Sequence, residues 1–333
     1  MNEIEQLTRD LYADIPHGTL YHYTTFTGLL GIVRSRSLWA SDVRYMNDSA
    51  ELRHTADLIH TEVRARIDGG HPHPQLLSQF ADWIAHRITS GHMLFGASFR
   101  SHGNLLSQWR GYSLPGKGVS LGFCPEYILA CAAQQRFMVG KCIYEPGRQH
   151  ALIRQVVDAV VAHAARLTGD RGLTAQERAA LYHTAFEEVE TDLLRIAAIL
   201  KHPSFREEKE WRIVSPVIAN EAGAPILFRE GHAMLVPYIE FNLSLDGRPP
   251  VLDHLYLGPT ANINISMNSL KMFLAQHGIA VTRGIDYCQI PFRQRGAGAV
   301  APVWFRRIFP GRSRRACPAR CRTGSPPRRP APG

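Results

Sequence analysis

Residues 207–212 read Glu-Glu-Lys-Glu-Trp-Arg and lead into the apolar positions Ile213, Val214 and Val217. Side chains alternate along a β-strand, so Glu208, Glu210 and Arg212 share one face there, with Lys209, Trp211 and Ile213 on the other. Like charges two strand residues apart over a sheet repel unless a cation, a donor or a substrate answers them. That makes Glu210 a candidate catalytic carboxylate. The same residues also fit a solvated strand edge whose charges deter edge-to-edge pairing.

A second candidate lies far upstream, in Tyr21-His22-Tyr23-Thr24. An imidazole on a strand face donates and accepts hydrogen bonds at once, which suits His22 to holding a ribose hydroxyl; a packed or surface histidine is the structural alternative. Gln108-Trp109-Arg110-Gly111-Tyr112 sets a planar cation beside two aromatics and suits a diphosphate or a stacked base. Equally, Arg110 could pair with Glu208 or Asp48 while Trp109 anchors the loop. Asn47, Asp48 and Glu51 read as a turn and helix cap, and Arg44 has no local support as a phosphate ligand.

Other groups carry less. Gly116-Lys117-Gly118 lacks the flanking glycines of a phosphate-binding loop. His71 and His73 lie beside two prolines with no acidic or cysteine partner, and Cys317 and Cys321 have no second pair, so no metal is expected at either place. Cys124, Cys131, Cys142 and Cys288 read as small core hydrophobes.

The elements that must position these groups are those of an ordinary globular chain: 333 residues, 45% hydrophobic and 20% charged. The formal charge of +9 is misleading, because eleven arginines and no acids fall from Arg293 onward, leaving −2 for residues 1–292. The reading is therefore a single α+β domain over 1–292 and a basic, Arg/Pro-rich, disordered tail over 293–333. The tail is either a solvated appendage or an electrostatic tether to nucleic acid or another anionic surface. Cysteines without paired spacing, no signal-peptide core and no apolar run near 18 residues predict a cytoplasmic protein without a membrane partner.

Strand-like runs are read at 20–24, 93–99, 119–123, 137–144, 210–217, 233–241, 252–257 and 279–283, and helices at about 52–67, 76–88, 148–167, 175–200 and 266–277. Thr174 and Glu177 form a capping box at the start of the fourth helix. Strands at both ends with a helical insert at about 147–200 do not repeat as strand, helix, strand, so α+β is expected over a doubly wound fold.

Leu20-Tyr-His-Tyr-Thr24 with the following helix, Phe95-Gly-Ala-Ser98-Phe99, and Glu208-Lys-Glu210 resemble, in this order, the first strand, the serine-containing middle strand and the late E-x-E strand of ADP-ribosyltransferases, particularly bacterial toxin transferases that modify DNA. Over nearly the whole body the chain more closely resembles a bacterial family without assigned activity, domain of unknown function 2971. The shared segments are Tyr21-His-Tyr-Thr24, Leu38-Trp-Ala-Ser41, Tyr45-Met-Asn-Asp48-Ser-Ala-Glu51, Ser98-Phe99, Gln108-Trp-Arg-Gly-Tyr112, Gly116-Lys-Gly-Val119 and Lys201-His-Pro-Ser-Phe205 leading to Glu208-Lys-Glu-Trp-Arg212.

The transferase resemblance implies a mixed, largely antiparallel sheet and NAD as a consumed substrate. It implies Glu210 on the nicotinamide ribose and Glu208 facing the acceptor. His22, with Tyr23 and Thr24 nearby, would hold the other ribose, and Ser98 would support Glu210 or the nicotinamide ribose. A tyrosine would stack on nicotinamide, with Tyr112 chosen over Tyr23 or Tyr45, and Arg110 would serve the diphosphate. The acceptor, nucleic acid or protein, is left open, as is an antitoxin or phage-defence partner. The alternatives from the same residues are a non-catalytic nucleotide or nucleic-acid sensor and, more weakly, a nuclease using His22 and Glu210 as an acid-base pair.

Overall fold

Strand propensity and helix caps divide the chain much as the pattern predicts. A computed structural model describes residues 2–46, 49–112, 118–169, 172–219, 223–231 and 233–289, all within one compact unit spanning 1–292. The readings on Asn47, Asp48, the Glu51 side chain, Gly116 and Lys117, on Cys317 and Cys321, and on the 293–333 tail lie outside the described residues.

Ten strands are described: β1 (Leu20–Thr25), β2 (Ser37–Asp42), β3 (Phe95–Arg100), β4 (Gly118–Phe123), β5 (Met138–Lys141), β6 (Glu210–Val214), β7 (Leu227–Glu230), β8 (Leu235–Asn242), β9 (His254–Leu257) and β10 (Ile285–Tyr287). The helices are α1 (Glu3–Leu11), α2 (Phe26–Ser35), α3 (Ser49–Asp68), α4 (Pro74–Ser90), α5 (Leu106–Tyr112), α6 (Pro125–Gln134), α7 (Pro146–Thr168), α8 (Ala175–Glu188), α9 (Glu190–Ile199) and α10 (Ile263–Gln276). The class is α+β. The expected capping box forms at Thr174, opening α8, but the single helix read over 175–200 is broken at Val189 into α8 and α9. The strand read at 279–283 forms later, at β10, leaving Val281 in a lone bridge to Leu252.

The sheet runs β10-β9-β4-β1-β3-β2-β8-β7, with β6 added to β3 and β5 to β6. Its strand pairs are antiparallel except β9 with β10. β3 is the branch point. One edge pairs along its length with β6, from Gly96 opposite Val214 to Arg100 opposite Glu210. The other edge is shared: Arg100 meets Tyr21 of β1, whereas Gly96 and Phe95 meet Ser41 and Asp42 of β2. β1 and β2 therefore part over residues 97–99, and a cleft opens between them.

The two faces of this sheet differ because side chains alternate. Phe95, Ala97 and Phe99 of β3 join Trp211 and Ile213 of β6, Ile239 and Phe241 of β8, and residues of α2, α6 and α10 in one core. The helical insert builds another with α1, α3 and α4, around Phe80, Val157, Phe186 and Ile199. Gly96, Ser98 and Arg100, with Glu210 and Arg212, occupy the face opposite Phe99 and Trp211.

Candidate functional site

The cleft continues into a cavity of about 460 Å³. One wall is β1 and the start of α2 (His22, Thr24, Thr27, Gly28), the other is β2 (Trp39, Ser41), and Gly96, Ser98, Arg100, Gln108, Tyr112, Lys201 and Arg212 form its base. Thr25 caps α2 by accepting from Gly28 N at 3.1 Å. A side chain at Gly28 would collide with the Thr24 hydroxyl, so glycine there lets Thr24 face the cavity.

Glu210 opens β6 and is fully buried. Its carboxylate is bonded from every side: Lys201 Nζ at 2.6 Å, Arg212 Nε at 2.9 Å and Ser98 Oγ, which donates to Oε1. Arg100 Nη1 lies 3.1 Å from Oε2, a charge contact without hydrogen-bond alignment. Burial alone would raise the carboxyl's pKa, but Arg212, Arg100 and Lys201 outweigh it and hold it well below the usual range. Glu210 is therefore ionised at neutral pH.

Glu208 joins the same cluster by a different route from the one the strand pattern predicts. It ends a 3-10 turn, Pro203–Glu208, and Lys209 follows in the left-handed region at φ 41° before β6 begins. The turn brings the Glu208 carboxylate to Lys201 Nζ (2.6 Å) and Arg100 Nη2 (2.8 Å), with Gln108 Nε2 at 3.4 Å. Glu208 is thus buried against cations and does not face outward to an acceptor.

Lys201 is itself 1% exposed. Its backbone is fixed by α7: Gln149 Nε2 donates to the carbonyls of both Ile143 and Lys201 at 2.7 Å. The helical insert thereby positions a cation beneath the cavity. Arg100 leans over the Tyr112 ring at 5.4 Å and donates to its hydroxyl at 3.2 Å.

The parting of β1 and β2 leaves β3 backbone groups for side chains to satisfy. The Ser98 carbonyl lies 3.1 Å from His22 Nδ1. A carbonyl only accepts, so Nδ1 carries a proton. Burial lowers the His22 pKa, the Ser98 carbonyl opposes that, and nearby Arg100 reinforces it, so the net direction is downward. The imidazole is neutral at pH 7 and its Nε2 is an acceptor. Ser98 has spent its hydroxyl proton on Glu210, so Oγ too can only accept. His22, Ser98 and Glu210 thus form one connected chain across β1, β3 and β6.

The other expected residues divide. Thr24 and Tyr112 line the cavity. Tyr23 borders it, but its hydroxyl donates to His102 O (2.8 Å), accepts from Leu105 N (2.9 Å), and its ring packs edge-on to Trp109. Arg110 is exposed and lies outside the cavity lining. Trp109 is buried within α5, not in a loop, 1% exposed and donating to Asn104. The cations on Glu208 are Lys201 and Arg100. Cys124, read as core, is exposed, whereas Cys131, Cys142 and Cys288 are buried.

Sequence reasoning missed Arg100 and Gln108 as site residues, and noted Lys201 only as part of a shared segment. The available signal was that Arg100 stands two residues beyond Ser98, on the same strand face. Among the described residues, no group of three or more His, Cys, Asp or Glu could hold a metal ion, and no helix is long and apolar enough to cross a membrane.

No curated protein and no solved structure matches the chain. Residues 108–213, from the glutamine beneath the cavity to the strand that carries Glu210, match a family described as Protein of unknown function (DUF2971).

Proposed function

We propose that the protein consumes NAD, binding it in the cleft between β1 and β2 and transferring ADP-ribose to an acceptor or to water. One observation carries this reading: two obligate acceptors, His22 Nε2 and Ser98 Oγ, stand beside Lys201, Arg100 and Arg212. Acceptors suit a ribose, whose hydroxyls donate, and cations suit the phosphates attached to it.

In the proposed reaction the bond between ribose C1′ and the nicotinamide nitrogen breaks. Its electron pair goes to the nitrogen, turning the pyridinium into neutral nicotinamide, and positive charge develops on the ribose ring. Water, or a hydroxyl or amine of the acceptor, then bonds to C1′ and gives up a proton. Ser98 passes the influence of the buried Glu210 carboxylate to the cavity, and the two acceptors orient the ribose so that the developing cation meets their lone pairs. The substrate's diphosphate would offset the positive charge that Lys201 and Arg212 present. A bacterial toxin or phage-defence effector acting on nucleic acid or protein in the cytoplasm is the setting proposed for this chemistry.

A second reading, a non-catalytic nucleotide-binding domain, is favoured by one feature: Glu210 is sealed beneath the cavity among three cations. Calorimetric titration with NAD and chromatographic detection of nicotinamide separate the two. Wild type should bind NAD and release nicotinamide. Ser98→Ala and His22→Ala should each slow release by about 10²-fold, the scale of losing one oriented polar group, while melting within a few degrees of wild type. NAD binding without nicotinamide release would establish the second reading, and no binding would end both.

A further inference from the structure

The cavity has a second polar end that the ribose chemistry does not use. On β2, Trp39 and Ser41 share a strand face, and Ser41 is opposite Tyr238 of β8 and Gly96 of β3. Arg229 projects from β7 on the same face, since Leu227, two residues earlier, is opposite Tyr238. Trp39 stacks on Tyr238 with ring centroids 4.6 Å apart, yet remains 44% exposed and lines the cavity.

Arg229 is half-buried in the cavity lining and donates to Ser41 Oγ at 3.1 Å. Among the described residues no carboxylate lies within ion-pair distance of it. It contrasts with Arg100 and Arg212, which are bonded to glutamates. Burial lowers its pKa and nearby Tyr238 only partly opposes this, as expected for a guanidinium without an anionic partner. Desolvating a guanidinium without a carboxylate is unfavourable unless an anion arrives.

We propose that Arg229, positioned by Ser41, binds a phosphate of a nucleoside diphosphate, and that the free face of Trp39 stacks on the base. Ser41 sits opposite Gly96, two residues before Ser98 on the same face, which is about 7 Å along β3. A ribose at His22 and Ser98 can therefore send its 5′-phosphates toward Arg229. The planar fork of arginine gives two parallel bonds to a phosphate, which lysine cannot. This assignment rests on the cavity being a nucleotide site but not on NAD cleavage.

Titration calorimetry with ADP and with adenosine on the full chain tests it. Wild type should bind ADP more tightly than adenosine. Arg229→Gln should weaken ADP at least tenfold and adenosine less than twofold, Arg229→Lys should fall between, and Trp39→Ala should weaken both. The assignment is overturned if wild type does not bind ADP, if Arg229→Gln leaves ADP affinity unchanged, or if it weakens ADP and adenosine equally. Arg229-dependent ADP binding without nicotinamide release would sustain this subsite while removing the NAD chemistry. Nicotinamide release with ADP affinity indifferent to Arg229 would do the reverse.

Discussion

Glu210→Gln should cost about 3–5 kcal/mol of stability at pH 7, the usual scale when one partner of a buried ion cluster is removed. Glutamine preserves the shape but deletes the negative charge on which Lys201, Arg100 and Arg212 converge. Nicotinamide release should slow by about 10²-fold, as for Ser98→Ala, because Ser98 loses the anion that fixes its hydroxyl. The pH dependence identifies the cause. The Glu210 pKa in the folded protein lies well below its ordinary value of 4.5, so its ionised form contributes stability that is fully present above about 4.5. That contribution is lost as pH falls from there through the folded value. Urea denaturation of wild type and Glu210→Gln should therefore show a gap that is constant near neutrality and narrows below about pH 4.5. A gap that keeps its size down to pH 3 would mean that packing, not charge, accounts for the loss.

Lys201→Met should be comparably destabilising at pH 7 but with the opposite response to acid. Lys201 Nζ is 2.6 Å from an oxygen of each glutamate, so the two carboxylates are held close by the cation between them. Methionine keeps the length and removes the charge, leaving Arg100 to serve both acids, with Arg212 on Glu210 alone. One carboxyl should then have a folded pKa raised above its unfolded value, as like-charged neighbours require. A raised acid pKa makes the folded state bind more protons than the unfolded one, so stability falls as pH rises through it and recovers on acidification. Relative to wild type, the denaturation midpoint of Lys201→Met should rise from pH 7 toward pH 5, because the loss that the lowered His22 pKa brings on acidification is common to both proteins. A difference that stays constant over this range would show that Arg100, Arg212 and Gln108 suffice to hold the two carboxylates without Lys201.

These expectations reach beyond the sequence in a definable way. Composition and local period determined the α+β class, most strands, the helical insert and the capping box at Thr174. Strand alternation and residue type also marked Glu210 and His22 as candidates, since they depend on residues a few positions apart, whereas Ser98 was named only by the transferase resemblance. Local period misled at Glu208, where the left-handed Lys209 ends a 3-10 turn before the strand starts. It misled again at Arg110, where the motif suggested a ligand and the structure leaves an exposed side chain.

Only the tertiary structure decided which charges meet. Lys201 reaches Glu210 because Gln149 on α7 fixes its backbone, Arg100 because β3 pairs with β6, and Arg229 because a short strand with mostly exposed side chains lies beside β8. These are pairings between segments distant in the chain, so no periodicity within either segment encodes them. The cleft has the same origin, since it exists where two strands on one edge of β3 part. Its position belongs to the sheet's branching, and its polar lining to the residues that branching brings to one face.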